Sequence, residues 1–417
     1  MATETKTKNT VFNLSLLLTG GIALWAVAFN ESFTVVSDAI YAFLTKQFGW
    51  LYLVAMLFFV FFVLLIAVSK WGKIRLGPDD SCPEYSTVSW FAMLFGAGMG
   101  VGLVFWGISE PISHYIAPIA GIEPGTPEAA DFAMKASFMH WGIHPWANYS
   151  IIGLALAYFQ FRKGTPGLIS AVLEPVIGQN RQWLKHLVDI LAVFATVAGV
   201  VTSLGLGVLQ INSGLNYLFG IPTNLIIQII IIAVISVIYI WSAVSGVEKG
   251  IKLISDANLY IAFALMGAAI LVGPKLEMVN SFTNTFGAYL NDFVRDSLAV
   301  STYGDNTWTE SWRIFYWAWW IAWAPFVGLF IARISKGRTI REFCIGVVLA
   351  PALAGGVWFG IFGTLGIHAG VEGLLTTEAM SGVAAAPETG VFVVMEQYPF
   401  GKFLAVFFAI ATTLALG

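Results

Sequence analysis

Ten apolar runs, each close to the thickness of a bilayer as a helix, constrain what this chain can fold into: 11–29, 50–69, 88–108, 136–160, 187–210, 222–243, 254–273, 312–334, 345–367 and 401–416. About 20 such residues cross the hydrocarbon, and a helix satisfies every backbone N–H and C=O within its own segment there. With 58% hydrophobic and 11% charged residues over 417 positions and a mean hydropathy of +0.80, too little polar surface exists to clothe a water-soluble body of this size. The chain reads as an all-α polytopic membrane protein.

The basic residues orient it. With the N-terminus inside, 15 of the 21 Lys and Arg fall in the inner connections, notably Lys70, Lys73 and Arg75, and Arg333, Lys336, Arg338 and Arg341. The outer connections collect Glu110, Glu123, Glu128, Asp131, Asp292, Asp296, Asp305, Glu310 and other acids, read as solvated loop carboxylates. The first run is too long for a leader and lacks a small-residue cleavage site, so it reads as a retained span. Cys82 and Cys344 both fall on the inner side, where thiols stay reduced. Residues 275–296 alternate polar with apolar at helical spacing and are too polar to span, which predicts an amphipathic helix along the outer surface. Gly417 ends the chain inside an apolar run without the polar flank that closes other inward runs, which reads as a truncated sequence.

Four tryptophans stand near the middle of the 312–334 run, in Phe315-Tyr316-Trp317-Ala318-Trp319-Trp320-Ile321-Ala322-Trp323-Ala324-Pro325-Phe326, whereas tryptophan in membranes favours the interface. Trp319, Trp320 and Trp323 share one helix face, and Trp317 points elsewhere. An indole face attracts a cation that has no proton to donate, each contact contributing about 0.5 to 2 kcal/mol; the plainer reading of such a stripe is helix packing. The fourth run carries a second aromatic set, Trp141, Trp146 and Tyr149, around Pro145. Two facing sets can form a cage. His140 and His144, at i and i+4, read as a hydrogen-bonded structural pair and not a metal pair, since only His114, His186 and His368 remain elsewhere.

The stretch Phe95-Gly96-Ala97-Gly98-Met99-Gly100-Val101-Gly102 holds four glycines in seven residues, each costing about 1 kcal/mol relative to alanine in a helix. The helix should unwind there, freeing carbonyls for a cation and amides for an anion, unless the glycines only make a small-residue packing face. Hydroxyls in Thr196–Gly207 can simply bond back to their own helix. No nucleotide loop, nucleophile elbow or paired carboxylates fall within a span, so the chain does not read as an enzyme.

These motifs resemble the betaine/carnitine/choline transporter family closely. The resemblance rests on Gly96–Gly102, Glu110-Pro111, His140-Trp-Gly-Ile-His-Pro-Trp146, Ser203-Leu-Gly-Leu-Gly207, Trp317–Phe326 and Ala332–Glu342, and runs from the third span to the end. It implies a LeuT-like 5+5 inverted repeat behind two extra N-terminal helices: 1–87 the tail and peripheral helices, 88–274 the first repeat, 275–311 the surface helix and loop, and 312–417 an incomplete second repeat. It further implies that Trp319, Trp320 and Trp323 hold a substrate ammonium opposite Trp141, Trp146 and Tyr149, with Gly98, Met99, Gly100 and Gly102 at the carboxylate end. Gly102 stands where members that work with protons carry an aspartate, so sodium symport is expected. Met99, Thr412 and Thr413 would form one sodium site, and Thr202 with Phe326 a second. The implied activity is import of a quaternary-ammonium osmolyte, glycine betaine first, by a homotrimer in a bacterial inner membrane. Carnitine or choline exchange and dimethylsulfoniopropionate import are the alternatives within the family, and an integral-membrane enzyme is the remote alternative outside it. No cofactor or nucleic-acid partner is implied.

Overall fold

Backbone groups that cannot reach water must be paired locally, and the chain answers with helices. The computed structural model describes residues 2–98, 100–244 and 248–416. Along the chain run α1 (Ala2–Ala28), α2 (Asn30–Val68), α3 (Thr87–Gly98), α4 (Val101–Ile116), α5 (Pro127–Trp141), α6 (Ile143–Ala157), α7 (Ile169–Ile177) and α8 (Gln182–Phe219). They are followed by α9 (Leu225–Val244), α10 (Glu248–Val272), α11 (Lys275–Ser297), α12 (Phe315–Ile334), α13 (Ile340–Val371), α14 (Thr377–Ala385), α15 (Gly390–Met395) and α16 (Gly401–Leu416). Among the described residues the sole extended pairing is an isolated bridge between Arg75 and Thr339. Among the described residues, five helices are long and apolar enough to cross a membrane, or seven when two bent pairs each count as one span, so the chain is a multi-pass membrane protein.

Three elements depart from the expected runs. Residues 30–49, read as a connection, are helical: no glycine or proline interrupts Asn30–Phe48, and α2 runs 39 residues, about 58 Å at 1.5 Å per residue. The expected span 136–160 is two helices. Gly142, at φ −88° and ψ −129°, ends α5, and α6 restarts at Ile143. Pro145 therefore sits in a first helical turn, where a missing N–H costs little, and not in a helix interior. The third correction concerns Glu110, which is not a loop residue: α4 continues to Ile116 and buries it completely.

Two readings agree with the structure. The helix breaks at its glycines, with α3 ending at Gly98 and α4 starting at Val101. The amphipathic stretch is a separate helix, α11, set at 114° to the apolar part of α10.

The helices fall into two compact units: Met1–Leu94, Ile143–Val201 and Val294–Ala350 form one, and Phe95–Gly142, Thr202–Phe293 and Pro351–Gly417 the other. In the first, α6 packs along α12 and both pack on α2. Its connector 335–341, expected to be basic for topology alone, spends its charges on the 67–85 segment. Arg338 lies 4.1 Å over the Trp90 ring and donates to Tyr85 O, Trp90 Nε1 donates to Ser335 Oγ (3.0 Å), and Arg341 Nε donates to Ala67 O (2.7 Å). Gly337 adopts φ +81°, and a Cβ there would run into the Cys82 carbonyl. In the second unit α4 packs against α5, α14 and α16, and Lys135–Asp292 (2.7 Å) ties α5 to α11.

Candidate functional site

The tryptophan run meets two of the second aromatic set, Trp146 and Tyr149, along α6 and α12. The two helices approach closely where both carry glycine: a Cβ on Gly153 would lie 3.1 Å from Gly328 O, and one on Gly328 would lie 2.8 Å from Ile152 Cγ2. Toward the start of α6 the aromatic rings interlock. Trp319 and Trp320 stack with centroids 4.9 Å apart and planes 10° apart. Tyr149 meets Trp320 edge to face at 6.3 Å, Trp146 meets Tyr149 at 5.5 Å, and Tyr316 leans on both Trp319 and Trp320 at 5.8 Å. Trp146, Tyr149, Trp319 and Trp320 are all buried.

Trp323 sits one turn further along, edge to face with Phe326 at 5.6 Å. Its indole lies over Gly199, where a Cβ would stand 3.1 Å from Trp323 Nε1. Trp317, excluded from the shared face by helical spacing, is fully buried and stacks on His144 at 5.0 Å.

The remaining cage and glycine residues belong to the other unit. Gly100 caps α4 with extended backbone (φ −80°, ψ −180°), so the N–H groups of the first α4 turn open at the helix break, where a helix favours negative charge. Gly98 closes α3, and Met99 lies outside the described residues. Trp141 lies against Gly102, where a Cβ would come within 2.6 Å of its ring, and Trp358 Nε1 donates to Leu103 O (2.9 Å).

Trp141 is anchored through Glu110. Its Nε1–H donates to Glu110 Oε2 (2.7 Å), while His140 Nδ1–H (2.7 Å) and His114 Nε2–H (3.3 Å) donate to Oε1. A carboxylate taken from water needs such donors. The ligand atoms of Glu110, His114 and His140 lie within 4.8 Å of one another, and both facing ring nitrogens lie within hydrogen-bonding distance of one carboxylate oxygen. His140 and His144, expected as a pair, fall on either side of the break at Gly142, and His144 Nε2 meets Ser297 Oγ at 2.8 Å.

The expected sodium ligands are scattered in character. Thr412 is buried, its Oγ1 lying 2.9 Å from both Phe408 O and Gln210 Oε1, while Gln210 Nε2 donates to Val104 O (3.4 Å). Thr413 is exposed and bonds back to Ala409 O (2.8 Å). Thr202 is exposed on α8, and the Phe326 residue is 52% exposed on α12.

Sequence reasoning passed over Asn148, Gln210 and the true setting of Glu110. Asn148 and Gln210 had a signal, a carboxamide inside an apolar run, which in hydrocarbon must be bonded to something.

The helices define a multi-pass membrane protein, and α6 and α12 carry an uncharged, interlocked aromatic cluster inside it. Residues 10–416 match the family described as BCCT, betaine/carnitine/choline family transporter. The chain belongs to that family, whose members are transporters and not enzymes. Similar proteins include glycine betaine transporter OpuD of Bacillus subtilis, 46% identical over 394 residues covering 94% of this chain and 76% of that protein. A probable glycine betaine transporter of Desulfitobacterium hafniense is 45% identical over 395 residues, covering 94% and 78%. The ectoine/hydroxyectoine transporter of Virgibacillus pantothenticus is 42% identical over 362 residues, covering 86% and 72%.

Proposed function

We propose that this protein imports glycine betaine by sodium symport across a bacterial inner membrane, with its N-terminus cytoplasmic. The observation that carries the reading is the interlocked cluster of Trp146, Tyr149, Trp319 and Trp320, whose rings offer π faces and no charge. A trimethylammonium group has no N–H to donate, so a carboxylate gains little over a ring face, and the ring face binds it without the cost of a buried anion. Trp323 extends the aromatic face by one turn. Trp141 keeps the substrate-contacting role that the family resemblance gives it, and the open first turn of α4, at Gly100 and Gly102, suits a carboxylate. The names of the two glycine betaine relatives support the substrate.

The scaffold we propose is the LeuT-like inverted repeat, 88–274 with 312–417, behind the two helices of 1–87, assembled as a homotrimer. Sodium is the proposed coupling ion. Of the residues proposed for it, Thr412 has the most buried oxygen-rich surroundings.

A second substrate reading rests on the ectoine/hydroxyectoine relative. Ectoine is a zwitterion whose delocalised ring cation also suits an aromatic face, and competition for betaine uptake separates the two.

Uptake into proteoliposomes under an imposed sodium gradient, a proton gradient or neither tests the coupling: betaine accumulates with the sodium gradient alone. Accumulation with sodium replaced by potassium overturns symport. Trp320→Leu and Trp323→Leu each raise the half-saturating betaine concentration, by about tenfold for the loss of one good cation–π contact, with insertion intact. Unchanged kinetics in both overturn the aromatic site.

A further inference from the structure

Asn148 is a carboxamide in an otherwise apolar helix contact, 3% exposed, and its Nδ2 donates to the backbone carbonyl of Trp320 at 2.9 Å. The bond crosses from α6 to α12 at the residue whose ring meets Tyr149, the next residue after Asn148. Three observations make this more than chance packing. First, the contact is otherwise set by the glycine crossing at Gly153 and Gly328, and small residues let helices approach without fixing their rotation. Second, Pro325 lacks the N–H that would serve the Ile321 carbonyl, so α12 is weakened directly beside the carbonyl that Asn148 takes. Third, a further polar contact of α6 in this unit, His144 with Ser297, lies one turn away at the α6 start, where His144 also stacks on Trp317. Asn148 and His144 thus hold the outer part of α6 at two successive turns, with Tyr149 following directly.

We infer that Asn148 is a positioning residue for the ammonium site: by gripping the Trp320 carbonyl it sets the rotation and register of α12 against α6, and so the angle between the Trp320 face and the Tyr149 ring. The inference rests on the proposed function and names the residue that tunes its affinity. Removing the donor leaves both rings in place but lets their relative angle relax, so cation binding suffers more than the transport cycle does.

The test uses the full chain in proteoliposomes, with glycine betaine as the probe, read by uptake kinetics and by betaine-dependent tryptophan fluorescence. Asn148→Ala raises the half-saturating and dissociation constants about 3- to 10-fold, the size of an interhelical hydrogen bond expressed as affinity, and leaves maximal velocity within about twofold. Asn148→Leu, which keeps the volume, does the same, and stands in should the alanine variant insert poorly. In a Trp320→Leu background Asn148→Ala adds a smaller loss than in the wild type, because the part of its effect that runs through that indole is gone. An equal loss in both backgrounds means direct contact between Asn148 and betaine and overturns the inference. Wild-type affinity in both Asn148 variants overturns it as well. If Trp320→Leu weakens binding while the Asn148 variants do not, this inference alone fails; if the wild-type protein neither binds nor transports betaine, the proposed function fails with it.

Discussion

At the scale of single residues, polar side chains in an apolar setting act here by fixing aromatic ones. Glu110 illustrates it: three N–H donors converge on one buried carboxylate, and one of them belongs to Trp141. Glutamine at 110 keeps one acceptor oxygen and adds N–H groups that no neighbouring donor can receive. Glu110→Gln should therefore cost about 1.5 to 3 kcal/mol of stability, the range for hydrogen bonds to a charged group, seen as a lower thermal midpoint in detergent. A variant as stable as the wild type would mean that the three bonds contribute nothing net. Of the tryptophan run, helical spacing already separated Trp317 from Trp319, Trp320 and Trp323, and the structure agrees by stacking Trp317 on His144. Spacing could not show that Trp319 and Trp320 stack flat on each other, because that depends on rotamers chosen against Tyr316 and Tyr149.

At the scale of elements, glycine decides more than apolarity does. The break between α3 and α4 was legible, since four closely spaced glycines disfavour a continuous helix. The break at Gly142 was not, because a lone glycine inside an apolar run is usually tolerated. Its consequence is large: it moves Pro145 into a first turn and parts His140 from His144. The α6–α12 contact depends on glycine in a different way. Gly328→Leu would drive a side chain into Ile152 and Gly153, where a single Cβ already finds 2.8 Å, and so force the helices apart. We expect that variant to lose its monodisperse peak in size-exclusion chromatography and to bind no betaine. A folded, betaine-binding Gly328→Leu protein would show that the crossing is not what seats the cluster.

At the scale of the whole molecule, the orientation assigned by the basic residues can be tested with the two thiols. Cys82 is exposed and Cys344 is buried. A membrane-impermeant maleimide should label Cys82 in inside-out vesicles and not in right-side-out ones, with Cys344 silent in both; the reverse pattern for Cys82 would invert the topology. What the sequence determined by itself was the class: apolar length, charge asymmetry and an aromatic block are local properties, and lipid leaves helices as the one answer for such segments. What only the tertiary structure decided was which polar atoms are spent on which partners. Glu110 passed for a loop acid until α4 was seen to continue past the apolar run, and the bond from Asn148 to Trp320 joins residues 172 positions apart. Such pairings leave no local pattern, because the demand that a buried polar group find a partner is satisfied by whatever the fold brings near it.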